Sequence, residues 1–196
     1  MEQPGLPRSG VMIAIVGPSG AGKDSLINAA RAHYRDDPRI GFVRRVITRP
    51  ADGATEDHVP VTASEFERRA RTGRFAVRWD AHGLRYGIPV ETSDEIAAGR
   101  ILVANGSRAA LDAFEAAYPA CAVIEVVARP EIIAARLAGR GRETAVEVER
   151  RLTRDIGHWR RGCPHVRIDN SGLIEVARQR FIDAIDAIAT GSDKGV

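Results

Sequence analysis

A chain of 196 residues with a net charge of +3 at pH 7 is long enough to form one domain with a sizeable core. Hydrophobic residues make up 44% and charged residues 28%, an ordinary composition for a soluble protein, and no apolar run reaches the roughly 18 residues needed to cross a bilayer. Because the N-terminal segment contains no apolar stretch of the signal-peptide kind, we expect a cytoplasmic protein that is not associated with a membrane.

The distribution of basic residues favours a small anionic ligand over a nucleic acid. Arginines occur in tight groups, of which 44–49 and 136–142 are predicted to contact phosphate and 150–154 to form a solvated helix face. Aromatic residues make up only 5% of the chain, too few for a platform on which single-stranded bases stack, and no nucleic-acid-binding motif is present. We therefore expect small-molecule partners, while the sequence leaves the oligomeric state open.

The first half of the chain alternates between strand and helix patterns. It opens with VMIAIV at 11–16, a continuous apolar run typical of a buried parallel strand, and a helical pattern follows over 24–37. Extended segments are predicted at 42–48 and 74–79. Between them, Thr62 and Glu65 form a capping box, which predicts the start of a helix.

The second half continues the alternation. Thr92 and Glu95 repeat the capping pattern and predict a helix that Gly99 closes. Pro130 is predicted at the first position of a helix that runs into a loop rich in glycine and arginine. The remaining predicted elements are strands at 100–105, 121–128 and 166–169 and helices at 111–118, 144–159 and 173–189.

This order is typical of an α/β fold in which a parallel sheet is sandwiched between helices. The stretch 42–90 is richer in extended segments than its surroundings, and we interpret it as an inserted subdomain. The sequence thus predicts a single domain of residues 11–190, with 1–10 and 191–196 as tails.

The motif GPSGAGKDS follows the first predicted strand and opens the first predicted helix. That setting is characteristic of a phosphate-binding loop, in which backbone N–H groups, the positive end of the helix and a lysine surround the phosphates of a nucleotide. We therefore predict that ATP is bound by Gly17, Pro18, Ser19, Gly20, Ala21, Gly22, Lys23, Asp24 and Ser25.

Asp24 stands where the loop pattern has a hydroxyl residue. A hydroxyl at this position ordinarily binds Mg²⁺, a cation that prefers oxygen ligands. Two hypotheses remain open: Asp24 touches the metal directly or through water, or Ser25 supplies the hydroxyl and Asp24 caps the helix. Both residues are therefore candidate metal ligands.

Five segments in this order resemble guanylate kinases over residues 11 to about 190: GPSGAGKDSL, TRP, FERRARTGRFAVRW, HGLRYGIP and RLAGRGRET. The resemblance implies a core of the P-loop NTPase type, an acceptor-binding insertion at 42–90 and a mobile arginine lid at 136–147. It also implies that Asn170 touches the base of ATP. The cations that it implies at the transferring group are Lys23, Arg136, Arg140 and Arg142.

The sequence departs from guanylate kinases where the acceptor base is read. Val77 aligns with their guanine-reading glutamate and cannot pair with a guanine edge. Arg85 replaces the first tyrosine of their YYG motif, and Asn105 replaces an aspartate. Ala51 and Asp52 occupy a stretch that holds a second arginine in that family.

With these changes the chain resembles the ribose 1,5-bisphosphate phosphokinase family, above all in GKDS and HGLRYGIP. That resemblance implies transfer of the γ-phosphoryl group of ATP, with Mg²⁺, to the C1 phosphate of ribose 1,5-bisphosphate in phosphonate catabolism. The product would be 5-phospho-α-D-ribose 1-diphosphate. The candidate acceptor contacts are Arg45, Arg49, Asp57, His58, Arg85 and Tyr86.

Two other functions remain open at this point. A nucleoside monophosphate kinase, most simply for guanylate, would share the donor site, although Val77 argues against it. A catalytically silent binding module of the same fold usually lacks the phosphate loop, which is intact here.

For Asp57 and His58 a second role also remains open, because in turns a local hydrogen bond from such a side chain to the backbone is as frequent as a ligand contact.

Overall fold

The computed structural model describes residues 10–50, 57–138 and 163–191, and a five-stranded sheet forms their core. In chain order its strands are β1 (Val11–Val16), β2 (Ile40–Phe42), β7 (Ile101–Asn105), β8 (Cys121–Val127) and β9 (His165–Asp169). Their order across the sheet is β2-β7-β1-β8-β9, and all four pairings are parallel. The predicted parallel sheet is confirmed, with the apolar β1 at its centre.

Helices cover both faces of this sheet. On one face, α1 (Lys23–His33) and α6 (Ile174–Thr190) bury Leu26, Phe181 and Ile185 in one hydrophobic cluster. On the other face, α3 (Glu91–Ala97) and α4 (Leu111–Ala117) contribute Ile96 and Phe114 to a second cluster. The helix α5 (Pro130–Ala138) begins at its proline, as predicted.

A second sheet lies within the predicted insertion. Its strands are β3 (Val46–Ile47), β4 (Val59–Pro60), β5 (Phe75–Ala81) and β6 (Leu84–Pro89), in the order β4-β3-β6-β5. The helix α2 (Ala63–Arg71) connects β4 to β5. Val77 of β5 and Ile88 of β6 are buried in the same cluster as Phe114, so this face of the second sheet packs against the core.

Two local predictions are wrong. The stretch 42–48 is not one strand, because Phe42 pairs with Val103 in the core sheet whereas Val46 pairs with Gly87 in the second sheet. Thr92 does not cap α3, because the helix begins at Glu91, one residue before Thr92. The Thr92 hydroxyl instead donates to the Pro89 carbonyl oxygen at 2.6 Å.

The capping box of α2 is present, since the Thr62 hydroxyl accepts a hydrogen bond from the Glu65 N–H at 3.1 Å. No helix in the described part of the chain is long and apolar enough to cross a membrane. Outside the described residues lie the predicted helix at 144–159, Arg140 and Arg142, most of the predicted lid, and both tails except Gly10 and Gly191.

Candidate active site

The phosphate-binding motif forms a tight loop between β1 and α1. Gly17, Gly20 and Gly22 have φ angles of 144°, 82° and 94°, in the region that favours glycine. A Cβ atom on Gly17 would lie 2.0 Å from the Val126 carbonyl oxygen, and one on Gly22 would lie 2.3 Å from the Asn170 side-chain nitrogen. The backbone conformation and the close packing against neighbouring elements therefore both require glycine in this loop.

Lys23 is the first residue of α1 and folds back over the loop. Its Nζ donates to the carbonyl oxygen of Gly17 at 2.7 Å and to that of Pro18 at 3.0 Å. A phosphate oxygen is a stronger acceptor for an ammonium group than a neutral carbonyl. The lysine is thus held beside the loop, in a position from which it can exchange these carbonyls for nucleotide phosphates.

Two side chains from other elements support the loop. Asn170, which is 1% exposed, donates from Nδ2 to the Ala21 carbonyl oxygen at 2.8 Å. Arg136 of α5 donates from Nη1 to the Ala21 carbonyl oxygen at 3.3 Å and from Nη2 to the Asn170 carbonyl oxygen at 2.9 Å. Both residues therefore fix the loop backbone here. Contact of Asn170 with the base of ATP, and of Arg136 with the transferring group, stays a prediction.

Asn170→Leu is expected to lower the melting temperature by about 2 to 10 °C, because it removes the buried amide donor at 2.8 Å and leaves the Ala21 carbonyl with the longer contact from Arg136, at 3.3 Å. The KM for ATP should rise as well, since the loop backbone loses support. Gln179→Leu is the control, because the Gln179 amide is exposed on α6 and its loss should change the melting temperature by less than about 2 °C. Thermal melts measure both, and equal shifts for the two variants would contradict this role of Asn170.

Asp24 and Asn105 form a polar pair beside the loop. The Asn105 Nδ2 donates to Asp24 Oδ1 at 2.8 Å, across the boundary between β7 and α1. Ser25, the other candidate metal ligand, has an exposed side chain in the first turn of α1. Within residues 10–50, 57–138 and 163–191 no group of three or more acidic, histidine or cysteine side chains is placed to hold a metal ion. In nucleotide sites generally, Mg²⁺ takes one or two protein ligands and the rest from phosphates and water.

The second sheet carries a buried arginine over two aromatic rings. Trp79 and Tyr86 are opposite each other on β5 and β6, and their rings stack with centroids 5.3 Å apart. The guanidinium of Arg45, which is 7% exposed, lies 5.8 Å from the Trp79 ring centroid and 5.0 Å from that of Tyr86. The aromatic faces stabilise the cation and fix its orientation. Two predicted acceptor contacts, Arg45 and Tyr86, are thus together, joined by Trp79, which sequence reasoning missed.

This cluster faces the core of the protein. The Trp79 ring lies 6.1 Å from that of Phe114 on α4, measured between centroids. Val77, two residues before Trp79 and on the same face of β5, is 2% exposed and packs in the cluster that contains Phe114. The position that aligns with a base-reading glutamate is therefore part of the hydrophobic core.

Arg85 lies on the opposite face of the second sheet from Tyr86, because neighbouring residues of a strand point to opposite sides. Its guanidinium forms an ion pair with Glu67 of α2, and both side chains are partly exposed. Its backbone N–H donates to the Thr48 hydroxyl at 2.9 Å. The structure therefore does not bring Arg85 together with Arg45 and Tyr86.

The other predicted acceptor contacts lie shortly after β3, at Arg49, or directly before β4, at Asp57 and His58. His58, which is 5% exposed, has its Nε2 within 3.1 Å of the Arg49 carbonyl oxygen. Asp57 accepts from Arg44 Nε at 2.8 Å and lies 3.8 Å from Arg31 Nη1. His58 thus has the backbone contact that the sequence left open as its alternative role. A contact of Arg49, Asp57 or His58 with the acceptor stays a prediction.

A buried carboxylate near the end of β8 was also missed. Glu125 is 7% exposed and is the register neighbour of Val16, the residue before the phosphate loop. It accepts from Arg108 Nη2 at 3.2 Å and lies 3.5 Å from His165 Nε2. A buried carboxylate needs such partners. Glu125 therefore fixes the side chain of Arg108, a residue that follows β7, to β8 beside the phosphate loop.

Two solved structures with a similar fold are those of kinases. Guanylate kinase from Anaplasma phagocytophilum superposes with a TM-score of 0.65 at 20% identity, over 93% of this chain and 87% of that one. A gluconokinase from Sinorhizobium meliloti superposes with a TM-score of 0.55 at 16% identity, over 94% and 96% of the two chains. At these identities the comparison shows the fold, and it confirms the predicted guanylate-kinase-like architecture.

Sequence comparison is more specific. A scan against models of protein families finds no match. Ribose 1,5-bisphosphate phosphokinase PhnN of Rhizobium etli is 46% identical over 179 residues, which are 91% of each chain. The protein of the same name from Acidiphilium cryptum is 52% identical over 149 residues, 76% of this chain and 79% of that one. The chain therefore belongs to the ribose 1,5-bisphosphate phosphokinase family.

Proposed function

We propose that this enzyme transfers the γ-phosphoryl group of ATP to the C1 phosphate of ribose 1,5-bisphosphate. The product is 5-phospho-α-D-ribose 1-diphosphate. Relatives named ribose 1,5-bisphosphate phosphokinase match nearly the whole chain, and the one from Rhizobium etli is 46% identical. The structural observation that carries the proposal is the buried Arg45 over Trp79 and Tyr86, next to an apolar Val77. The fixed cation of Arg45 can bind a phosphate. Position 77 has no polar side chain that could form a hydrogen bond with a purine.

The acceptor group is itself a phosphate, and this determines what the protein must supply. With a second pKa of about 6, a phosphate is largely ionised near neutral pH. Its oxygen can attack the γ-phosphorus without a strong general base. We infer that this chain acts by holding donor and acceptor in line and by stabilising charge.

Lys23 is the central donor-side cation in this proposal. Leaving the Gly17 and Pro18 carbonyls, its ammonium group would bind the outer phosphates and stabilise the charge that develops during transfer. Arg136 contributes by fixing the loop from α5. Arg140 and Arg142 are proposed to close over the transferring group and exclude water.

Magnesium is proposed to accompany ATP. The residues present fit this cation, because Asp24 offers a carboxylate oxygen and Ser25 a hydroxyl oxygen beside the phosphate loop. When bound, Mg²⁺ would offset the charge of the phosphates. The variant Asp24→Asn distinguishes the two candidate ligands. It should weaken metal binding strongly if Asp24 is the ligand, and only slightly if Ser25 is the ligand.

Arg45 and Tyr86 are proposed to hold the acceptor. Arg85, which lies on the opposite face of the second sheet, is proposed as a further contact once its side chain leaves Glu67. The ion pair of Arg85 with Glu67 is partly exposed, so separating the two side chains costs at most about 1 kcal/mol. Arg85 can therefore leave Glu67 for a doubly charged sugar phosphate.

Arg85→Ala is expected to raise the KM for the acceptor by roughly tenfold, through the loss of a charge-assisted hydrogen bond. The KM for ATP should stay nearly constant in the same steady-state assay. Glu67→Gln is the matched control, because it releases Arg85 without removing it and should not raise the KM for the acceptor. A higher KM for ATP in Arg85→Ala would place this residue on the donor side.

An acceptor panel tests the proposed function. ADP release is coupled to a spectroscopic assay with ATP, Mg²⁺ and one of four acceptors: GMP, AMP, ribose 5-phosphate or ribose 1,5-bisphosphate. Only the bisphosphate is expected to support rapid turnover. Rapid turnover with GMP would instead identify a guanylate kinase, and no turnover with any acceptor would point to a binding module.

A further inference from the structure

Asn105 is a polar side chain beside the phosphate loop to which the sequence resemblance gives no role. It ends β7, in register with Ile15 of the central strand β1. Its backbone neighbour Gly106 donates to the Ile15 carbonyl oxygen at 2.8 Å, so the end of β7 is held against β1. The Asn105 side chain is therefore attached to a rigid strand beside the loop.

The two ends of the Asn105 amide have different surroundings. Its Nδ2 donates to Asp24 Oδ1 at 2.8 Å. Its Oδ1 is buried and has no hydrogen-bond partner in the part of the chain that the structure describes. A buried acceptor without a partner is uncommon, because it has lost its bond to bulk water without replacing it.

In P-loop NTPases generally, a neutral hydroxyl residue follows the loop lysine, and an aspartate at a neighbouring strand end completes the metal site. Here the carboxylate is on the loop, at Asp24, and the neutral amide is at the strand end, at Asn105. The two positions therefore still carry one negative charge between them. In this chain the charge is on the loop residue and not on the residue at the strand end. A second carboxylate at position 105 would stand within hydrogen-bond distance of Asp24 and repel it.

We propose that Asn105 is a positioning residue for the cation that accompanies ATP. Its Nδ2 holds one oxygen of Asp24, so that the other oxygen is directed to the cation, and its free Oδ1 accepts a hydrogen bond from a water bound to that cation. Residues that orient a metal ligand in this way commonly change metal affinity by 10- to 100-fold when they are replaced. The proposal rests on the metal role of Asp24 within the proposed function.

The test measures metal binding without catalysis. Mn²⁺ replaces Mg²⁺ as a paramagnetic probe, and electron paramagnetic resonance gives its affinity for the protein with a non-hydrolysable ATP analogue and no acceptor. Asn105→Leu, similar in size, should weaken Mn²⁺ binding by about tenfold or more. Affinity for the analogue in the presence of EDTA should change less than about twofold, because no metal is then held. Since no acceptor is present, the result does not depend on which sugar or nucleotide the enzyme phosphorylates.

A charge exchange separates positioning from a merely structural role. Asp24→Asn alone should weaken Mn²⁺ binding at least as much as Asn105→Leu. The double variant Asp24→Asn, Asn105→Asp keeps one amide, one carboxylate and their hydrogen bond, and should return Mn²⁺ affinity to within about threefold of the wild type. If Asn105→Leu does not fold, Asn105→Ser removes the same bond with a smaller side chain.

Unchanged Mn²⁺ affinity in Asn105→Leu or Asn105→Ser would overturn the proposal. Equal losses of analogue affinity with and without metal would also overturn it, since they would show that Asn105 only supports the loop. If Asp24→Asn also leaves Mn²⁺ affinity unchanged, the metal role of Asp24 fails, while the acceptor panel still tests the proposed reaction.

Discussion

Lys23→Ala is expected to lower kcat by roughly a thousandfold with any acceptor, because it removes the cation that we propose stabilises the charge developing on the phosphates during transfer. In the structure the ammonium group contacts the Gly17 and Pro18 carbonyl oxygens, so its position beside the loop is set before ATP binds. The loss should therefore appear mainly in kcat. The measurement is steady-state ADP release at saturating ATP and acceptor.

The chain offers a matched control for this experiment. Only two of its 29 basic residues are lysines, Lys23 and Lys194, and Lys194→Ala should leave kcat unchanged. Thermal melts of both variants check that the loop variant is folded. A folded Lys23→Ala enzyme that keeps more than about a tenth of the wild-type kcat would show that the loop does not bind the transferred group as proposed.

Arg45→Met should lower kcat/KM for the acceptor on the order of a hundredfold. Arg45 is buried, so after its removal water cannot take its place as a partner of the acceptor phosphate. Methionine keeps much of the volume over Trp79 and Tyr86 but removes the charge. The KM for ATP should change less than about twofold, since Arg45 directly precedes β3 of the second sheet, whereas the phosphate loop lies in the core.

The neighbouring Arg44 is the matched control. Arg44 is 53% exposed on its side chain and pairs with Asp57, so Arg44→Met should change kcat/KM by no more than about fivefold. Arg45→Lys keeps the charge but not the planar fork, and it should recover only part of the lost activity. Equal effects of Arg44→Met and Arg45→Met would contradict a specific role for the buried cation.

The core of the fold was predictable because its signals are local. A continuous apolar run ending at a glycine predicted β1 with its correct ends, and the capping box at Thr62 predicted the start of α2. Pro130 predicted the first residue of α5. Each signal depends on the chemistry of a few adjacent residues, which does not change when the chain folds.

The arrangement of the proposed acceptor contacts was predicted only in part, although one turn contains the missing information. His82 and Gly83 have φ angles of 55° and 72° and connect β5 to β6 as a two-residue turn. Counting outward from such a turn pairs Trp79 with Tyr86. The same alternation places Arg85 on the other face, away from Arg45. The sequence prediction grouped Arg85 with Tyr86 because the two are adjacent in the motif.

Other contacts depend on elements that are distant in the chain. The bond between Asn105 and Asp24 joins residues 81 positions apart, and the bond between Asn170 and Ala21 joins residues 149 apart. No local pattern specifies such pairs, since they depend on how β7, β9 and α1 meet at one edge of the sheet. Asn170 illustrates the difficulty, because an asparagine predicted to touch a base is buried beneath the phosphate loop.

The most direct test of the central claim is ³¹P NMR of the products formed from ATP and a mixture of ribose 1,5-bisphosphate and GMP. We predict two new coupled diphosphate resonances from a sugar that carries the diphosphate at C1, an unchanged 5-phosphate resonance, and ADP in equal amount. GMP should remain. Conversion of GMP to GDP, with the sugar bisphosphate left intact, would contradict an acceptor face built for a sugar phosphate.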